Sequence, residues 1–138
     1  MTYKLTNSTS IIRTADGAFI PADPANTDYQ RYLEWLAEGN TPMPVDPPAP
    51  EQIMARLEAR VQFWLDEQAR ALGYDDIKSA VTYADESAVP KFQQEGQAMR
   101  RLRSLAWARC YEILNAVQAG QRPIPTEEEL IAEMEALK

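Results

Sequence analysis

At 138 residues, 45% of them apolar and 25% charged, the chain has the size and composition of one globular domain, or of one domain with a small appendage. Fourteen Lys and Arg against twenty-one Asp and Glu leave a net charge of -7, which disfavours binding to a nucleic-acid backbone. No histidine occurs, so the commonest general base near neutral pH, the commonest metal ligand and every Ser-His or Cys-His nucleophile pair are missing.

In chain order, Tyr3 to Thr6 and Ser10 to Thr14 are short β-prone stretches, and the turn dipeptide Asp16-Gly17 leads into Ala18-Phe19-Ile20. A small β-hairpin or meander is expected. Pro21 to Pro24 stop the strand, Asn26 or Thr27 caps a helix, and Tyr29, Tyr32, Leu33 and Leu36 recur at helical spacing until Gly39-Asn40 closes it. Trp35 falls off the centre of that stripe. Seven of the ten prolines lie between Pro21 and Pro50, five of them from residue 41 to residue 50. That run cannot continue a helix or pair as a central strand, and it reads as an extended, semi-rigid linker. The expected organisation is therefore a β-hairpin and helix module over residues 1–40, a Pro-rich linker over 41–50 and a helical bundle over 51–138. A module of forty residues buries little surface, so it is expected to fold against a partner or against the helical part.

After the linker, Ile53, Leu57, Val61, Trp64, Leu65 and Leu72 form the stripe of an amphipathic helix that starts at Glu51 and ends at Gly73. Asp75 can cap a short helix carrying Ile77, Ala80 and Val81, and Tyr83 to Pro90 reads as a loop. A long helix is expected from Phe92 to Ala119, with Met99, Leu102, Leu105, Ala106, Cys110, Ile113, Leu114 and Val117 on one broad face and Trp107 and Tyr111 on its flank. Thr126 to Glu129 match a capping box for a closing helix with Leu130, Ile131, Met134 and Leu137. The sum is a mainly α protein, a small antiparallel helical bundle preceded by a short β-hairpin plus helix.

Chemistry-bearing patterns are few. Asp75-Asp76 and Asp85-Glu86 could serve a carboxylate-dependent hydrolase only by converging in a pocket; adjacent acids at helix starts otherwise read as caps and solvated charge. No calcium-loop pattern and no glycine-rich phosphate loop occurs, and neither a metal nor a cofactor is expected. Gly96, inside a helical pattern, marks either a close helix approach or a helix start nearer Gln97. The single cysteine, Cys110, cannot form an intrachain disulfide and reads as a small buried hydrophobe in a reducing compartment. Neither a secretory h-region nor a stretch long enough for a membrane span is found, so no membrane partner is expected. Arg100 and Arg103 share a helix face and could grip carboxylates. Tyr29, Tyr32 and Trp35 are either partner-binding anchors or core.

The stretch from Ala15 to Pro42 carries a resemblance. Its Ile20-Pro21-Ala22-Asp23 start, its Asn26-Thr27-Asp28-Tyr29-Gln30 middle and its Trp35 to Pro42 finish resemble a segment common in small proteins encoded beside the tail-fibre genes of tailed bacteriophages and prophages. Leu72 to Ala80, Ala106 to Leu114 and Val117 to Leu130 are similar to the helical portion of phage tail-region proteins. The resemblance implies a non-catalytic tail-fibre assembly chaperone, working in the cytoplasm of the bacterial host. Such a protein binds a newly made fibre or receptor-binding protein during folding, trimerisation or attachment. On that implication Tyr29, Tyr32 and Trp35, with Arg100 and Arg103, are candidate partner contacts. A structural virion component linking tail fibre to baseplate is the alternative. The broad apolar helix faces allow a homo-oligomer, and burial within one bundle accounts for them equally.

Overall fold

The structure, a computed structural model, describes residues 1–138. It is mainly α, with 58% of residues helical, and the chain divides into two compact units, Met1–Ala49 and Pro50–Lys138.

In the first unit β1 (Tyr3–Leu5), β2 (Ile11–Arg13) and β3 (Ala18–Ile20) form an antiparallel meander in the order β1-β2-β3. Gly17 turns β2 into β3 with φ 71, a left-handed conformation that glycine adopts without strain. The Arg13 guanidinium grips Asp16 at 2.9 and 2.7 Å, and its remaining nitrogen reaches Asp28 at 2.8 Å. One side chain therefore ties the β2–β3 turn to the first turn of α1 (Thr27–Ala37). Of the two candidate caps, Asn26 does the work: its side chain accepts the Tyr29 N–H at 3.0 Å.

Tyr3, Ile11, Ile20 and Tyr32 make the core of this unit, with Tyr29, Trp35 and Leu36 packed against it. Leu33, expected on the inward stripe, is 43% exposed, whereas Trp35 packs inward. The reason is the Tyr3 ring, which meets Tyr32 and Trp35 edge-on at 5.0 Å each and draws that side of α1 onto the sheet.

The proline-rich segment 41–50 is extended, but it is not a free spacer. Met43 pairs with β1: Leu5 N–H donates to the Met43 carbonyl at 2.9 Å, and Met43 N–H donates to the Tyr3 carbonyl at 2.8 Å. Met43 stands between two prolines that have no N–H, so its own amide is the one left to pair. Pro50, expected in the linker, is the first residue of a helix.

The second unit comprises α2 (Pro50–Ala71), α3 (Ile77–Val81), a 3-10 turn (Thr82–Asp85), α4 (Pro90–Gln118) and α5 (Glu127–Glu135). Pro90 takes the first turn of α4, where its missing N–H costs no hydrogen bond. Asp76 rather than Asp75 caps α3, accepting the Ser79 N–H at 2.7 Å, and Asp66 of α2 accepts the Ile77 N–H at 3.1 Å. Part of the expected loop from Tyr83 is thus ordered as a 3-10 turn. Thr126 caps α5 through the Glu129 N–H at 3.2 Å.

Val61, Trp64, Leu65, Ala69, Ile77, Ala80, Met99, Leu102, Ala106, Ile113, Leu130 and Met134 form one core. Leu72, expected on the α2 stripe, is 45% exposed. The helix ends at Ala71, Gly73 turns the chain with φ 97, and Ala69 takes the last inward position instead. Gly96 is buried against the 3-10 turn, so of its two readings the close approach is the one realised. No helix is long and apolar enough to cross a membrane.

Candidate functional site

The N-terminal half of α4 is covered by α3 and the 3-10 turn, but its C-terminal half and the start of α2 are not fully closed over each other. Between them lies an open groove of about 490 Å³, completed by the chain between α4 and α5. Val61, Ile113 and Leu130, all buried, form its floor. Leu57, Trp107, Cys110, Leu114 and Val117 line the walls, and Met54, Tyr111 and Ile124 stand at the rim. Tyr111 is 67% exposed, an unusual position for a large ring beside an apolar face.

Helical spacing explains this arrangement. Met54, Leu57, Glu58 and Val61 share one side of α2, and Trp107, Cys110, Tyr111, Leu114 and Val117 share one side of α4. Each stripe is wider than the strip that α5 covers, so apolar surface is left over between them.

The groove end is held electrostatically. Arg122, just beyond α4, meets both oxygens of Glu133 on α5 at 3.2 Å, and Arg109 of α4 reaches Glu133 at 2.7 Å. Hydrogen bonding from Arg122, then from Arg109, holds the Glu133 carboxyl below its ordinary range. These contacts fix the chain that carries Ile124 and Pro125.

Inside the groove the only charged lining residue is Glu58, exposed and joined to no cation. Burial, with the charges of Glu58 and Glu133 added, pushes the Cys110 thiol up. At neutral pH it is a protonated, weakly nucleophilic wall residue rather than an activated thiolate.

The candidate contacts read from the sequence are separated by this fold. Tyr32 is 7% exposed and serves as core of the first unit, while Tyr29 and Trp35 keep part of their surface accessible. On the outer face of the same sheet, the Lys4, Ile12 and Phe19 row carries Phe19 at 71% exposure. Arg100 reaches the exposed Asp85 at 3.6 Å, and half-buried Arg103 joins no carboxylate. Neither arginine lines the groove. Three of the four acids weighed for hydrolysis have local employment for their carboxylates, and Asp75 contributes its backbone carbonyl. Asp76 is a cap, Asp85 faces Arg100, the Glu86 side chain accepts the Ala88 N–H at 2.8 Å, and the Asp75 carbonyl accepts from Arg70 at 3.1 Å.

Sequence reasoning did not single out Met54, Trp107, Tyr111 and Ile124 as a site. The signal was present in the excess width of the α2 and α4 apolar stripes, but only the packing shows which part of that width stays open. Compared with family models, curated proteins and solved structures, the chain matches none.

Proposed function

We propose that the chain is a phage tail-fibre assembly chaperone: a non-catalytic protein that binds the fibre or receptor-binding protein during folding, trimerisation or attachment, in the cytoplasm of the bacterial host. The observation that carries a protein-binding role is the open apolar groove of the helical unit, lined on two helices and bearing a single charge. The identity of the partner rests on the resemblance of residues 15–42 and of the three helical stretches to tail-region proteins.

In this reading the half-exposed Tyr29 and Trp35 are partner contacts of the first unit, and Tyr32 supports them from below. Rings of this kind supply much of the energy of an interface when a partner covers them. Arg100 and Arg103 remain candidate contacts to carboxylates on the partner.

The test is co-expression with the neighbouring fibre gene. Fibre solubility and trimer yield are expected to rise in the presence of this chain, and a complex is expected to survive gel filtration. Unchanged yield together with no complex ends the reading. Mass spectrometry of purified particles separates a chaperone from a virion component, because stoichiometric presence in the particle favours the latter.

A further inference from the structure

We infer that the groove between α2 and the C-terminal half of α4 takes an amphipathic helix of the partner whose apolar ridge is flanked by Lys or Arg placed to meet Glu58. This names the docking site and ligand chemistry for the assembly role proposed above, and rests on that reading for the partner's identity.

Shape gives the first argument. The floor of Val61, Ile113 and Leu130 lies between two helices, and a further helix fills such a furrow by seating its own ridge of side chains there. Backbone pairing has no part, because both walls are helices whose amides are already bonded.

Charge decides between occupants. No Lys or Arg lines the groove, and its one charge, Glu58, has no cation partner. The nearby Arg109 and Arg122 are engaged by Glu133, and Arg109 also by Glu112 at 2.8 Å. A second copy of this chain, whose net charge is -7, would bring the same carboxylate against Glu58 if the two grooves met about a two-fold axis. A ridge with basic flanks supplies what is missing, and apolar contact and an ion pair then form together.

The chain carries its own reporter. Cys110 is the single thiol and lines the groove wall, so its alkylation rate reads occupancy without any engineered label. The full chain is treated with iodoacetamide at pH 8 in the presence of a synthetic helix bearing Leu at i, i+3, i+4 and i+7 with Lys flanks. The same helix with Glu flanks is the control. The Lys-flanked helix is expected to slow alkylation at least fivefold, and the Glu-flanked one to have little effect. Glu58→Arg, a change at an exposed position, is expected to weaken protection by the Lys-flanked helix about tenfold. Val117→Glu, with its helical content checked by circular dichroism, is expected to abolish it.

Equal protection by both helices, or by neither, overturns the proposal. Protection that grows with the concentration of the chain alone assigns the groove to a second copy, and protection by 1-octanol equal to that by the helix assigns it to a small apolar ligand. Either outcome also overturns it. The co-expression assay keeps this result apart from the assembly role. If the wild-type chain and both variants raise fibre yield alike, the groove proposal falls and the chaperone stands. If the Lys-flanked helix protects Cys110 through Glu58 but fibre yield never changes and no complex survives gel filtration, the groove proposal stands and the chaperone falls.

Discussion

Gly96 of α4 lies so near Ala84 that a Cβ added to it would stand 2.6 Å from the Ala84 backbone nitrogen, with the Tyr83 carbonyl carbon at 2.8 Å and the Ala80 oxygen at 2.9 Å. All three neighbours are backbone, so no side chain can swing aside. The Gln97 amide, which donates to the Ala84 carbonyl at 3.1 Å, locks the same contact. Gly96→Ala is therefore expected to destabilise the helical unit by roughly 2–3 kcal/mol, although alanine is the better helix former. Thermal unfolding followed by circular dichroism checks this, and an unchanged or raised midpoint would mean that α4 does not approach the turn so closely.

Trp64 is buried, and its indole nitrogen donates to Glu135 at 2.7 Å and so ties α2 to the last turn of α5. Trp64→Phe keeps most of the ring volume but loses that bond, and is expected to cost about 1–2 kcal/mol in chemical denaturation. The Lys138 ammonium, then the indole, holds the Glu135 carboxyl below its ordinary range. Glu135→Gln is accordingly expected to weaken the α2–α5 contact, and to do so less in the Trp64→Phe background than alone.

Asp16 titrates far below the ordinary range, at about 2, first because Arg13 donates to its carboxylate and then because the Ala18 N–H does. A carboxyl depressed on folding stabilises the folded state above its unfolded pKa, and that contribution is lost as pH falls through the folded value. Stability of the first unit is thus expected to be flat above about pH 4, near the ordinary carboxylate value of 3.8, and to decline toward pH 2. Near-ultraviolet circular dichroism of the Tyr3, Tyr32 and Trp35 cluster gives the readout in the full chain. Arg13→Gln is expected to reduce the slope between those limits, and an identical acid profile in that variant would refute the linkage.

Cys110 offers a test of groove electrostatics in the absence of any partner. Its thiol is pushed above the ordinary thiol value of 9.0 by burial first, then by Glu58 and Glu133. Glu58→Gln removes one of the two charges, so the midpoint of the pH-dependent alkylation rate is expected to move down. Burial is the larger cause, so the midpoint should stay above the ordinary thiol value. A shift in the opposite direction would show that Glu58 does not face the thiol.

Much of this fold is legible from local pattern. The helix types, the Asn26 and Thr126 caps and the Asp16-Gly17 turn follow from side chains acting on backbone within a few residues, and for such features the chain order is nearly the physical order. Some displaced details are local, such as the one-residue shift of the α3 cap from Asp75 to Asp76, and others involve distant residues. Asp66, eleven positions before Ile77, accepts an N–H at the start of α3. Met43 pairs with Tyr3 and Leu5, although the prolines on both sides of it point to an extended, semi-rigid linker. The site was less legible than the fold. Tyr32 lies on the expected α1 stripe and Trp35 off its centre, yet Tyr3 meets both rings at 5.0 Å, with the first buried and the second left partly accessible.

By itself the sequence determined that the chain is mainly α with a small β start, that it is acidic, and that it has no histidine with which to run the common base chemistry. Composition and short-range periodicity suffice for these, because each depends on residues that act alone or on neighbours within a turn. Only the tertiary structure decided which apolar surface stays open. The stripes on α2 and α4 are both wider than a packed helix needs, and the excess becomes a groove or a core according to where α5 and the chain before it come to rest. That position follows from Leu130 and Met134 packing into the core, with the Arg109, Arg122 and Glu133 contacts and Trp64 on Glu135 fixing it further, pairings between residues that no local pattern brings together.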